Sequence, residues 1–148
     1  MKAKIRVAKA EDIPVIVALG RRFLLEGPYH EIMPDNPKVA TELAEKLANY
    51  PGAKILVAEA DGKIVGVFAF LLFPHYYSGV MTAGELIWYV EPEYRAGNTG
   101  LELKWAAEKM AKELGAEQMH LTCPPDQEAL FSKLHGYVRV EVGWQRRL

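Results

Sequence analysis

Two β-rich runs, AKILVAEA and KIVGVFAFLLF, flank Asp61-Gly62, a pair that tolerates the positive φ angles of a two-residue hairpin turn. They predict a hairpin in the middle of the chain. Ahead of it, KIRVA from Lys4 to Ala8 reads as a short strand. Asp12, just before Pro14, starts a helix whose Ile16, Leu19 and Phe23 share one face until Gly27 and Pro28 end it. A loop, GPYHEIMPD, leads to Asn36, which caps a second helix with Pro37 at its first position. Val39, Leu43, Leu47 and Tyr50 form the predicted buried stripe of that helix.

Beyond the hairpin, TAGELIWYV (Thr82 to Val90) is a further strand, and the segment from Thr99 to Leu114 is a helix expected to bury Leu103, Ala107, Met110 and Leu114 before Gly115. The strand EQMHLTC follows. Asp126 caps a last helix, QEALFSKLH, ended by Gly136, and YVRVEVGWQRRL supplies one or two final strands interrupted at Gly143. A central hairpin together with a later strand-helix-strand crossover requires a mixed α/β (α+β) sheet with helices on both faces. No repeat or composition break divides the chain, so residues 1–148 read as one domain.

Composition narrows the partners. At 148 residues, net charge −1 and pI near 6.4, the chain lacks the basic excess of a nucleic-acid binder. Its longest apolar run, Ile64 to Phe73, is half of the roughly 20 residues a membrane helix needs. A single cysteine, Cys123, and an opening MKAKIRVAKAEDIP without an apolar signal core predict a reducing, cytoplasmic setting. The histidines are scattered, with no HxH or HExxH spacing, so no metal site is expected.

The stretch VEPEYRAGNTGLELKWAAEKM carries the most chemistry. A helix starting near Thr99 leaves amide N–H groups unpaired at a positive dipole end, and Gly97 and Gly100 would let an anion approach the backbone, with Arg95 beside it. The plainer alternative is a capping box, Thr99 with Glu102, that satisfies the helix start by itself. Glu85, five residues before Val90, is either a base or a solvated strand carboxylate. His120 and Cys123, three apart on a strand, point to opposite faces and make no dyad.

VEPEYRAGNTG resembles the cofactor segment of the GCN5-related N-acetyltransferase (GNAT) superfamily, whose loop runs Arg/Gln-x-x-Gly-x-Gly/Ala after a strand. IRVAKAEDIPVIVAL, ILVAEADGKIVGVFAF and LFSKLHGYV are similar to the family's opening strand and helix, its hairpin and its late helix, so the likeness spans nearly the whole chain. It implies a mostly antiparallel twisted sheet of six or seven strands with a splayed parallel pair. It further implies acetyl-coenzyme A as cosubstrate and direct attack by a primary amine of a small molecule or peptide. Arg95, Ala96, Gly97, Asn98, Thr99 and Gly100 would hold the pyrophosphate. Val90 would pair with the pantetheine arm, and a main-chain N–H near Tyr89 or Val90 would serve the oxyanion.

Asn98 stands where the family has its first loop glycine, on the expectation that asparagine substitutes at positive φ. Ser132 stands at the family's frequent acid, a tyrosine, leaving Cys123, Tyr137 or water as substitutes. Glu85 matches the acidic residue that takes up the amine proton, with a bulge expected at Gly84. Tyr29, His30, Tyr76 and Tyr77 are the expected acceptor lining, and Glu26, Glu31 and Asp35 the expected attraction for a cationic amine. A homodimer is compatible with the family. The alternative to an enzyme is a non-catalytic acyl-coenzyme A binding module.

Overall fold

The computed structural model describes residues 2–148. Strand β1 (Lys4–Val7) is followed by helices α1 (Ile13–Glu26) and α2 (Pro37–Asn49). The hairpin β2 (Ala53–Ala60) and β3 (Lys63–Pro74), strand β4 (Met81–Val90), helix α3 (Thr99–Glu113), the short strand β5 (Gln118–His120) and one turn of helix α4 (Glu128–Phe131) complete the order. The sheet runs β1-β2-β3-β4-β5. Every neighbouring pair is antiparallel except β4 and β5, which are parallel.

Asp61 (φ 53°) and Gly62 (φ 72°) both adopt left-handed backbone, the turn that matches the twist of the β2-β3 hairpin. The sheet is apolar on both faces because helices cover both. Leu103, Ala107 and Ala111 of α3 pack with Leu56, Phe68 and Phe70 on one side. On the other, Ile13, Ile16 and Leu19 of α1 and Ala44 and Leu47 of α2 pack with Ile55, Val57 and Val67. Gly66 permits α3 to sit close, since a β-carbon there would lie 3.0 Å from Leu103 Cδ1 and 3.1 Å from the Tyr89 carbonyl. Leu103 is fully buried at this crossing. Leu103→Ala is expected to cost about 3 kcal/mol in urea unfolding, the transfer term plus the cavity it leaves.

Several expectations need correction. The buried residues of α2 are Ala44 and Leu47, while Val39, Leu43 and Tyr50 are about half exposed. Leu47 of the expected stripe and Ala44 join Ile13, Ile16 and Leu19 of α1 in one core cluster, and Val39, Leu43 and Tyr50 fall outside it. On α3, Leu114 is the exposed C-cap, and Ala111 takes the buried position. Asp12 does stand at the N-cap of α1, closing a short 3-10 turn, but its carboxylate makes no bond to the helix and instead accepts from Arg6 (2.7 and 3.1 Å) and the Lys9 amide (2.7 Å). The sheet has five strands among the described residues, not six or seven. Residues 137–148 carry no regular element, with Val138 80% and Trp144 94% exposed. An alternating strand pattern forms a strand only where backbone partners exist, and β5 offers three residues.

Candidate active site at the splay of β4 and β5

The parallel pairing of β4 with β5 stops after three positions, Thr82 with Gln118, Ala83 with Met119 and Gly84 with His120. From Glu85 to Val90 the outer edge of β4 is therefore unpaired, which leaves main-chain donors and acceptors facing a gap. The Glu91 N–H bonds the Val65 carbonyl (2.8 Å), so by alternation Tyr89 also faces β3 and Val90 faces the gap. The open N–H belongs to Val90, not Tyr89. Opposite β3 the register slips between Ala69 and Phe70, so Leu86 is the extra residue of a bulge. The bulge thus falls two residues after Gly84, whose missing β-carbon instead makes room for Phe73, at 2.8 Å from where it would lie.

Glu85 stands at the point where the strands part. Its Oε2 accepts from the Thr122 amide (3.2 Å) and the Thr122 hydroxyl (3.0 Å) just beyond β5. A side-chain carboxylate here replaces the ladder bonds that the splay removes. Burial pushes the Glu85 carboxyl from its ordinary 4.5 up to about 7, and the two Thr122 bonds hold it from going higher. Burial first and the Glu85 charge second push the Tyr29 phenol up. Burial, then Glu128, Asp126 and Glu85, push the Cys123 thiol up, so it stays protonated and weakly nucleophilic. Thr122 carried no motif signal, because its place follows from the β4-β5 register. Thr122→Val deletes one donor to the anion, and the pH midpoint of any activity that needs ionised Glu85 is expected to rise by up to about one unit; a pH-rate profile measures it.

At the other end of the gap, Asn98 (φ −96°, ψ 6°) is the N-cap of α3 and makes no side-chain cap bond. No positive φ is required of it, so asparagine fits this loop for a reason other than the expected one. The Thr99-Glu102 box does not form, since Thr99 is already helical and buried and the Glu102 amide bonds the Asn98 carbonyl (2.8 Å). The amides of Thr99, Gly100 and Leu101 find no acceptor among the described residues. Around Gly97 a β-carbon would meet nothing within 4 Å. The Trp88 indole N–H bonds the Gly100 carbonyl (3.1 Å) and fixes this first turn against β4. A helix start with three amides unbonded among the described residues thus lies beside an open strand edge.

Other expected groups are placed elsewhere. Arg95 turns away from the helix end, with Nε on the Val90 carbonyl (2.7 Å) and Nη2 on Glu26 (2.7 Å). Ala96 is exposed in the loop. The Ser132 hydroxyl donates to the Ala129 carbonyl of its own turn (2.8 Å). Tyr137 donates to Glu108 (2.6 Å), where Lys104 also bonds (2.6 Å), so its phenol belongs to the α3 surface and not to the splay. His120 Nε2 lies 3.1 Å from Glu141, and Cys123 lies past the end of β5.

Tyr29 packs on Phe23 (5.4 Å between centroids), partly buried, while His30 is exposed and its Nδ1 meets the Gly27 carbonyl at 2.7 Å. Tyr76 and Tyr77, each 86% exposed, meet at a tilt at the tip between β3 and β4, and Tyr76 stacks on His75. Of the acids expected to attract an amine, Glu26 is taken by Arg95 and Tyr89, and Asp35 by Arg21 (2.7 Å). Of the expected acceptor lining only Tyr29 is pushed up in part by the Glu85 charge, after burial.

The family model for the acetyltransferase (GNAT) family matches residues 24–137, and the chain belongs to that family of N-acetyltransferases. Solved structures similar to it include a predicted acetyltransferase with acetyl-CoA from Clostridium acetobutylicum, with TM-score 0.80, 18% identity and 98% of this chain on 96% of that one. A ribosomal-protein-alanine N-acetyltransferase from Brucella melitensis biovar Abortus 2308 superimposes with TM-score 0.74, 18% identity and 99% of this chain on 100% of that one. An aminoglycoside acetyltransferase from an uncultured soil metagenomic sample, in complex with sisomicin, gives TM-score 0.71, 22% identity and 99% of this chain on 96% of that one. At these identities the likeness is one of fold. No curated protein matches the sequence. No helix among the described residues is long and apolar enough to cross a membrane.

Proposed function

We propose that the chain transfers the acetyl group of acetyl-coenzyme A to a primary amine of a small molecule or peptide by direct attack in a ternary complex. The observation that carries this reading is the juxtaposition of three free amides at the start of α3, the open β4 edge at Val90 and the Glu85 carboxylate at the splay. Acetyl-coenzyme A supplies an activated thioester. The amides of Thr99, Gly100 and Leu101 hold its pyrophosphate, and Val90 pairs with its pantetheine arm. By the same alternation the Trp88 N–H also faces the gap, two residues nearer Glu85, and it is the donor for oxyanion charge while Val90 is taken by the arm.

Glu85 receives the amine proton. A base near pH 7 balances being ionised against being basic enough to accept. The departing thiolate has a pKa of about 8.5, near that of a free thiol, so water suffices to protonate it. That removes the demand for an acid at Ser132 or Tyr137, both of which are bonded elsewhere. The proteins with the same fold are named for a ribosomal-protein alanine and for an aminoglycoside, which keeps both peptide and small-molecule amines within the proposal. A cytoplasmic location accords with the single free cysteine.

Thiol release from acetyl-coenzyme A, followed against a panel of amines, tests the reading. Initial rates with both substrates varied are expected to give intersecting reciprocal plots, and Cys123→Ala is expected to keep activity within a few-fold. Parallel plots, or loss of activity in Cys123→Ala, would point to an acetyl-cysteine route instead. The second reading, a non-catalytic acyl-coenzyme A module, draws on the bonded-away hydroxyls of Ser132 and Tyr137; it predicts binding with no thiol release from any amine.

A further inference from the structure

Glu26, the last residue of α1, joins three parts of the cofactor end of the gap. Its Oε1 accepts the Tyr89 hydroxyl (2.6 Å), and its Oε2 accepts Arg95 Nη2 (2.7 Å). Arg95 Nε in turn donates to the Val90 carbonyl (2.7 Å), and the guanidinium lies over the Tyr89 ring at 5.1 Å. Burial opposes ionisation of Glu26, but the bonds from Tyr89 and Arg95 outweigh it and hold the carboxyl below its ordinary range. A second ion pair, Arg22 with Glu91, ties α1 to the residue just after β4.

The consequence lies at Val90. Its carbonyl is the last acceptor on the open edge of β4, and a ligand arm that adds along this edge needs it for one of its amide N–H groups. In the structure that acceptor is covered by Arg95, and Arg95 is held over it by Glu26. Arg95 cannot reach an anion at the start of α3 while it keeps both bonds. We propose that Glu26 and Arg95 form a latch that closes the open end of β4, and that the arm of the cofactor displaces Arg95 from Val90 and frees it to turn toward the pyrophosphate. Glu26 is then a positioning residue for cofactor entry. The inference rests on the coenzyme A reading given above.

The latch makes a prediction opposite to that for an ordinary binding-site residue: removing Glu26 tightens binding. In Glu26→Gln the ion pair becomes a weaker bond from the Arg95 cation to a neutral amide oxygen, so opening costs less free energy. Calorimetric titration of wild type, Glu26→Gln and Glu26→Ala with coenzyme A is expected to show affinity higher by about 3- to 10-fold in both variants. Glu26 is also an anion near a polyanionic ligand, so two controls separate the latch from simple charge repulsion. Glu93→Gln removes a nearby exposed carboxylate that has no bond to Arg95 among the described residues, and it leaves affinity within two-fold. Adenosine 3′,5′-bisphosphate has the phosphate charge but no arm to displace Arg95 from Val90, and its affinity gains less in Glu26→Gln than that of coenzyme A.

A wild type that fails to bind coenzyme A overturns the cofactor reading and the latch together. Binding by the wild type without a gain in either Glu26 variant overturns the latch alone. So does an equal gain for the bisphosphate, since that result is charge repulsion.

Discussion

Gly100→Glu is expected to abolish coenzyme A binding while leaving the protein as stable as before or slightly more stable. A β-carbon at Gly100 would lie 3.7 Å from Trp88 Nε1, 3.8 Å from Trp88 Cζ2 and 3.8 Å from Val90 Cγ2, which are ordinary contacts, so the substitution is accommodated. The new carboxylate sits in the first turn of α3, beside amides that have no acceptor among the described residues. An acid in that position favours the helix, by roughly 0.3–1 kcal/mol, and replacing glycine in a helix contributes about as much again. For a diphosphate the same carboxylate is a fixed like charge in the place it must occupy. A loss of affinity of at least about 100-fold follows from repulsion at contact distance together with the amides it satisfies. Calorimetry and thermal unfolding on the same sample check both halves. A mutant that still binds would move the phosphate site away from α3.

Glu85→Gln is expected to lower kcat by about 10²- to 10³-fold, the usual contribution of a positioned base, with coenzyme A affinity unchanged. Glutamine keeps a side-chain oxygen for the two Thr122 donors, so the clasp across the splay survives and only proton acceptance is lost. If the clasp were the whole role of Glu85, the variant would be as active as the wild type. The pH dependence separates the two further. Wild-type kcat/KM is expected to rise through about pH 7 as Glu85 ionises, and that limb is absent in the glutamine variant.

Stability shows the same group with the opposite sign. Because the folded-state pKa lies above the ordinary 4.5, the contribution of Glu85 to stability is complete below pH 4.5 and is lost as pH rises through about 7. Glu85→Gln escapes that loss. Its melting temperature is therefore expected to exceed that of the wild type at pH 8 and to converge with it near pH 5.

The elements with strong local signals were legible in the sequence. Asp61-Gly62 specified its hairpin because only certain residues accept two consecutive positive φ angles. The starts of α2 and α3, at Pro37 and Thr99, lie where proline and loop chemistry put them. What the sequence could not convey depends on neighbours. Of the expected stripe of α2 Leu47 is buried and is joined by Ala44, because which face turns inward is set by packing against Ile13, Ile16 and Leu19 of α1, a property of the pair and not of either helix. The final strands failed to appear because a strand needs a partner edge, and YVRVEVGWQRRL describes only its own half of the ladder.

In the site, the glycine-containing loop before α3 and Glu85 were readable as residue types at positions, and a family likeness added to that reading. Their bonding was not. Thr122 reaches Glu85 through the β4-β5 register, and Arg95 meets Glu26 across 69 positions of chain. A glutamate expected to draw in an amine is instead occupied by an arginine expected to hold a phosphate. Each expectation was reasonable for an isolated charge, and each ignored the other charge.

The most direct test of the account is a calorimetric titration of the wild-type chain with acetyl-coenzyme A, coenzyme A and NAD in parallel. Saturable binding of both coenzyme A forms at one per chain, with none for NAD, is the result predicted by a helix start that takes a diphosphate only when its arm can pair along β4. No binding of either coenzyme A form, or equal binding of NAD, would contradict it.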